Sequence, residues 1–277
     1  MIKDIIVNLA PSDTRDPALD YAVSVASTFE AHLAGIAFIY DPIIPATVMG
    51  GGIPADVIEM QREESERLAA AVAERFEAAA RQAGISYETH RLNASGAGAA
   101  DQFAHLARRF DLAIVGQPQP ESPVLQDLVL EGAMFESGRP VIAVPYIQKG
   151  GLALDRVMVC WDGGRAAARA IGDAMPLLTR AKQVEVVIVA GEAGKRDELP
   201  GVDLGQHLAR HDVKVTVNRI PVGDIDPANA LISYASDSSA DLVVMGGYGH
   251  SRLREFVLGG VTRTMLQSMT VPVLMSH

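Results

Sequence analysis

Asp241-Leu242-Val243-Val244-Met245 runs directly into Gly246-Gly247-Tyr248-Gly249-His250. Gly259-Gly260 follows, just ahead of Val261-Thr262-Arg263-Thr264-Met265-Leu266. A short apolar, β-branched run closed by glycines has the pattern of a buried strand. Glycine lacks a Cβ and enters φ > 0 freely, so backbone in the loop after such a strand can come close to a ligand. The residues after Gly259-Gly260 follow helical spacing, and the unpaired amides of a helix start favour anions. The stretch reads as strand, phosphate cradle and helix on an α/β scaffold.

Working outward, the chain tells this story twice. Asp4-Ile5-Ile6-Val7-Asn8-Leu9 is echoed by Arg156-Val157-Met158-Val159-Cys160-Trp161, and Asp111-Leu112-Ala113-Ile114-Val115-Gly116 by Asp241 to Gly246. Arg139-Pro140-Val141-Ile142-Ala143-Val144 is echoed by Val271-Pro272-Val273-Leu274-Met275-Ser276. Helical patterns lie between: Pro17–Ala31, Glu63–Gly84 and Ala99–Phe110, then Ala166–Thr179, Gly205–His211 and Asn229–Ser236. Continuous apolar strands alternating with amphipathic helices mean βαβ units and parallel sheets covered on both faces. A period of about 140 residues means duplicated domains rather than a solenoid. The expected organisation is two fused copies of one α/β fold, 1–148 and 152–277. Gln148-Lys149-Gly150-Gly151 is the linker.

Ligands of open α/β sheets bind beyond the carboxyl ends of the strands. The candidate segments are Ala10–Arg15 and Gly116–Pro120 in the first half. In the second they are Asp162–Arg165, Val189–Gly191, Pro221–Asp226 and Gly246–His250.

Composition narrows the classes. The 277 residues are 48% hydrophobic and 21% charged, which suits globular domains with full cores. A net charge of −10 argues against general nucleic-acid binding and against docking on anionic membranes. Bound phosphate therefore needs local cations, and His250, Arg252, Arg254 and Arg263 supply them. A single cysteine, Cys160, excludes a disulfide framework and a Cys-rich metal site, and its apolar strand makes it a small core residue. The histidines are scattered, without metal-ligand spacing. With no signal-peptide pattern and no apolar run of membrane length, the chain is expected in the cytoplasm.

The pattern resembles the universal stress protein family. Its nucleotide signature is a strand, Gly-x-x-Gly, nine residues, then Gly followed by a small residue. Here it reads Gly246-x-x-Gly249, His250 to Leu258, and Gly259-Gly260. Val157-Met158-Val159-Cys160-Trp161-Asp162-Gly163-Gly164 is similar to the family's opening strand, and Val271-Pro272-Val273-Leu274 to its fifth. The resemblance is close through the second half and holds in outline through the first. It implies two tandem Rossmann-like α/β domains, each a five-stranded parallel sheet flanked by helices, and adenine-nucleotide binding (ATP, ADP or AMP, with or without Mg2+). Asp162 and Gly163 would lie by the adenosine, and main chain at Val189 would meet the adenine edge. Gly246, Gly249, His250, Gly259, Gly260, Val261 and Thr262 would hold the phosphates. Gly260 departs from the family's usual Ser or Thr, which removes a hydroxyl worth about 1–3 kcal/mol toward a charged acceptor, so weaker binding or a preference for AMP or ADP is expected.

The first half departs further. Gly116 is followed by Gln117-Pro118-Gln119-Pro120-Glu121, so a glycine and two amide donors are missing and a negative charge stands where phosphate would lie. Ala10 replaces the family's Asp, and no nucleotide site is expected in this half.

Three functions stay open at the level of sequence: a nucleotide-sensing regulatory module, a slow ATPase or self-phosphorylating protein using His250, Ser251 or Thr262, and an interaction protein with an empty cradle. Gly-x-Ser-x-Gly and the P-loop signature are both missing. Asp162 doubles as a candidate N-cap for a helix near Arg165, and Gly50-Gly51-Gly52 reads as a connector or a flap. In such families apolar last strands pair across subunits. Here Val141–Val144 and Val273–Met275 are expected to pair within the chain as a pseudo-dimer, and exposed sheet edges leave room for a homodimer.

Overall fold

The computed structural model describes residues 1–11, 15–42, 54–118, 125–190, 202–221, 226–247 and 260–277. The first half runs β1 (Asp4–Leu9), α1 (Pro17–Phe29), β2 (His32–Tyr40), α2 (Ala55–Ala83), β3 (Tyr87–Ala94), α3 (Gly96–Ala107), β4 (Leu112–Gly116), α4 (Leu125–Glu136) and β5 (Val141–Val144). The second half repeats that order. It runs β6 (Arg156–Cys160), α5 (Arg165–Leu178), β7 (Gln183–Ala190), α6 (Val202–Ala209), β8 (Val215–Pro221), α7 (Pro227–Asp237), β9 (Leu242–Gly246), α8 (Gly260–Ser268) and β10 (Val273–Ser276).

The strands form one ten-stranded sheet in the order β3-β2-β1-β4-β5-β10-β9-β6-β7-β8. All pairings are parallel except one, the antiparallel seam that sets Val273 against Ala143, Leu274 against Ile142 and Met275 against Val141. The expected pairing of last strands is therefore present within the chain. What differs is that the two five-stranded sheets are continuous. The antiparallel seam also has a directional consequence: the carboxyl ends of the first half's strands lie on one edge of the sheet and those of the second half on the other.

Both faces are covered, which is why the central strands read as unbroken apolar runs. Helices α1, α2, α5 and α6 bury one cluster, in which Val7, Ile142, Val159 and Leu274 from both halves meet. Helices α3, α4, α7 and α8 bury the other, with Ile6, Val115, Met158 and Met275. Backbone and side-chain bonds tie the halves together at the surface. The Arg180 guanidinium donates to the Thr28 carbonyl at 2.6 Å and lies 4.3 Å above the Phe29 ring centroid. Leu152 N–H, just after the linker, donates to Ser24 Oγ at 2.9 Å, and Arg15 donates to the Lys149 carbonyl at 2.6 Å.

Helix ends differ from the periodic reading by a few residues, with identifiable causes. Helix α1 is N-capped by Asp16, whose carboxylate accepts from Ala18 and Leu19 N–H, and it ends at Glu30 in the left-handed conformation. Helix α3 starts earlier than Ala99 because Ser95 caps it through Gly98 N–H. Helix α2 begins eight residues before Glu63, at Ala55. Its first buried residue is Ala69, so its opening turns carry no apolar stripe to announce them. Helix α4 was not expected at all. Gly132 interrupts its pattern, yet a Cβ there would lie 3.1 Å from the Ala100 carbonyl oxygen, so the glycine is what lets α4 lie close on α3.

Candidate functional site

The parallel strands β9, β6 and β7 are neighbours and end together on the second half's carboxyl edge. Helix α8 runs back antiparallel to β9 before β10, so its amino end at Gly260 belongs to the same edge. Cys160 stands opposite Val187, and Val189 opposite Ile220. Cys160, Val187 and Met245 are buried toward α7 and α8, with Val189 half-buried at the rim of the same cluster. The edge thus has an apolar floor and a polar, glycine-rich rim.

That rim is shaped first at Asp162. Gly163 adopts φ +75, and the turn brings Gly164 N–H within 2.7 Å of Asp162 Oδ1. The N-cap position of α5 is Gly164, which makes no side-chain cap bond. The expected N-cap role of Asp162 is therefore corrected: it stands two residues upstream and closes the turn, not the helix. Its side chain is exposed at the edge.

Gly246 ends β9 against the start of α5. A Cβ at this position would come 2.5 Å from Ala167 N, 2.7 Å from Ala166 C and 2.9 Å from Ala166 Cβ. Packing alone thus demands glycine here, on the face opposite α8. The next residue differs: a Cβ on Gly247 would meet only the terminal Met134 Cε closely, at 2.9 Å. Gly247 N–H donates to the Ser276 carbonyl at 2.8 Å, and His277 Nδ1 lies 3.1 Å from the Gly247 carbonyl oxygen. Gly260 is exposed with open space where a Cβ would stand, Val261 is half-buried and Thr262 is buried. Arg263, at the start of α8, is exposed, and its charge is felt by Glu131 of α4 across the seam. Gly249, His250 and Gly259 lie outside the described residues, as do Ser251, Arg252, Arg254 and Gly50–Gly52. Of the expected site, then, the edge gathers Asp162, Gly163, Val189, Gly246, Gly260, Val261 and Thr262.

The first half's edge is built differently. A Cβ on Gly116 would rest at an ordinary 3.5 Å from Ala18 Cβ, so no glycine is required there. Gln117, the counterpart of Gly247, is buried. Its N–H donates to the Val144 carbonyl at 2.7 Å and its Nε2 donates to the Leu266 carbonyl of α8 at 2.8 Å. Gln117 Oε1 accepts from Tyr146 N–H at 3.3 Å. The first half's loop thus holds the last turn of the helix whose first turn is part of the second half's edge. The sequence places Gln117 in a candidate ligand segment, and its bond to α8, 149 positions away, has no local signal. Gln119, Pro120 and Glu121 are outside the described residues.

Cys160 is buried, and that burial, with the nearby Asp162 charge, pushes its thiol up to about 12. Thiolate is the reacting form, so Cys160 is expected to resist a disulfide reagent at pH 8 and to react only as the chain unfolds in denaturant. Stoichiometric labelling of the native protein within seconds would contradict this. Among the described residues no group of three or more His, Cys, Asp or Glu side chains could hold a metal ion, and no helix is long and apolar enough to cross a membrane.

Comparison with known proteins agrees with this geometry. The profile of the universal stress protein family matches residues 153–277. A universal stress protein of Synechocystis is 42% identical over 45 residues, 16% of this chain and 16% of that one. Another, from Methanocaldococcus jannaschii, is 35% identical over 63 residues, 23% of this chain and 38% of that one. The chain thus aligns with well under two thirds of the length of either relative. The crystal structure of a universal stress protein from Archaeoglobus fulgidus superposes with a TM-score of 0.67 at 17% identity, covering 98% of this chain and 95% of that one. At such identity the likeness is one of fold, and it extends over both halves. Residues 153–277 thus match the universal stress protein family, and the half before them has the same fold.

Proposed function

We propose that the second half binds one adenine nucleotide, ATP, ADP or AMP, and works as a regulatory module of a stress response. The observation that carries this reading is the carboxyl edge where β6, β7 and β9 end beside the amino end of α8. Donor groups and open backbone collect there on an apolar floor. Gly260 leaves its amide open to an anion at a helix start, where the helix dipole also favours negative charge. The Asp162 carboxylate, anchored through one oxygen to Gly164 N–H, presents the other to a ribose hydroxyl. Main chain at Val189 meets the adenine edge, over Cys160 and Met245. Gly246, Gly249 and Gly259, with His250 and the amides of Val261 and Thr262, complete the phosphate cradle. The first half adds no second nucleotide site, because Gln117 is already bonded across the seam and Pro118 has no N–H to give.

Calorimetric titration with ATP, ADP and AMP, with and without Mg2+, tests the reading. One site per chain is expected. No heat from any of the three would sink it. Asp162→Ala is expected to weaken binding about tenfold, the scale of one charge-assisted hydrogen bond. Gly260→Ser gives the opposite sign. A Cβ there meets no atom of the described residues within 4 Å, and the serine returns a hydroxyl to the proposed cradle. ATP affinity is expected to rise roughly tenfold with AMP unchanged. Equal gains for AMP and ATP would place that hydroxyl away from the terminal phosphate.

A further inference from the structure

The first half's carboxyl edge holds two buried polar atoms that the nucleotide reading does not use. Asn8, on β1, is 5% exposed, and its Oδ1 has no hydrogen-bond partner. Asp16, 8% exposed, holds Ala18 and Leu19 N–H with Oδ1 and also draws the Ala10 amide at the end of β1, while its Oδ2 makes no ordinary hydrogen bond. Leaving a buried polar group unpaired is strongly unfavourable, and in a folded protein it points to an absent water or ligand.

Pairing places Asn8 opposite Ile36 of β2. The β1–β4 register, which sets Val7 against Ile114, carries it to the level of Val115. Ile36 and Val115 both belong to the cluster under α3 and α4, so Asn8 stands on that face. One step nearer the edge on β2 come Phe38 and then Tyr40, packed against the same cluster with ring centroids 6.1 Å apart. On β4 the next step is Gln117, fixed to α8. In the second half the matching places hold Cys160, Val189 and Gly247. The duplicated edge has therefore exchanged a thiol, a valine and a glycine for an amide, an aromatic pair and a closed loop.

We propose that the first half carries a separate small-molecule site at the carboxyl ends of β1, β2 and β4, which takes an uncharged planar amide or lactam and no phosphate. An amide edge offers one donor and one acceptor side by side, the complement of a side-chain amide. Asn8 Oδ1 accepts the ligand N–H and its Nδ2 donates to the ligand carbonyl. Phe38, one step beyond the level of Asn8, borders one face of the plane, with the tilted Tyr40 ring behind it. Asp16 beside the end of β1 opposes an anion, and burial already holds its carboxyl above the usual range. The inference stands apart from the nucleotide reading, since it concerns the opposite edge of the sheet.

The test uses the full chain and Asn8→Leu, with benzamide and uracil as probes and AMP as the contrast. In the wild type, a saturable shift of the Asn8 side-chain amide resonances is expected with one of the probes at up to about 10 mM. That binding falls at least about tenfold in Asn8→Leu and is indifferent to saturating AMP. The ligand-free variant melts at the same temperature as wild type or about 2 °C higher, because an unpaired buried amide has been removed. Three results would overturn the proposal. They are no saturable shift with either probe, displacement of the probe by AMP, or a melting temperature lowered by more than about 2 °C, which would make Asn8 a structural residue.

Discussion

Gly246→Ala is expected to lower the melting temperature by roughly 6–12 °C, from a destabilisation of about 3 kcal/mol in a chain of this size. The added methyl would sit 2.5 Å from Ala167 N and 2.7 Å from Ala166 C, which are backbone atoms in the first turn of α5. A flexible side chain could rotate away, but a helix turn must move as a unit, and the end of β9 or α5 shifts with it. Because Asp162–Gly164 leads directly into α5, the same shift is expected to reduce nucleotide affinity. Gly247→Ala is the control. Its methyl would meet Met134 Cε at 2.9 Å, the free end of an unbranched side chain, and stability should change by less than about 0.5 kcal/mol. Thermal melts of the two variants decide the matter. Equal, small losses in both would mean that Gly246 is kept for the ligand alone.

Leu274→Asp is expected to unfold both halves together. Leu274 is buried at the seam opposite Ile142, in the cluster shared by α1 and α5. An unpaired carboxylate there is destabilising by at least about 4 kcal/mol. The milder Leu274→Ala should lose about 2–5 kcal/mol through the cavity it leaves. The seam makes the loss global: neither last strand keeps its partner, and both clusters run through it. Trp161, the single tryptophan, reports the second half by fluorescence. Hydrogen exchange at the β1 amides reports the first. Coincident loss of both signals is expected. Retained protection in β1 while Trp161 is exposed would show that the halves fold independently.

Both expectations rest on contacts that a linear pattern carries only in part. The six central strands, β1, β4, β5, β10, β9 and β6, were legible because each is buried on both faces and appears as an unbroken apolar run, whereas the outer β3 and β8 are half exposed and carry none. The duplication was legible for the same reason. The pairing of Val141–Val144 with Val273–Met275 could be anticipated, since a short apolar last strand cannot remain an open edge. Helix α4 could not, because Gly132 breaks its pattern and answers to Ala100 of α3, outside the local window. The start of α2 was missed because those turns bury nothing. Asp162 was placed at the right edge but in the wrong turn, since one residue of left-handed glycine at Gly163 decides which amide its carboxylate reaches.

At the site, sequence alone named the candidate residues after the strand ends and set the two halves apart by their glycines, prolines and charge. It also separated the halves at Gln148–Gly151. Those features are local: strand ends, glycines, prolines and a charge stand within a few residues of one another. Tertiary structure decided the rest. The antiparallel seam sends the two edges in opposite directions, and Gln117 reaches Leu266 across 149 positions of chain. Gly246 is held against the first turn of α5, and Asn8 Oδ1 is left buried and unpaired on the first half's edge. Each of these depends on which distant surface comes to lie against a residue, and only the folded chain sets that distance.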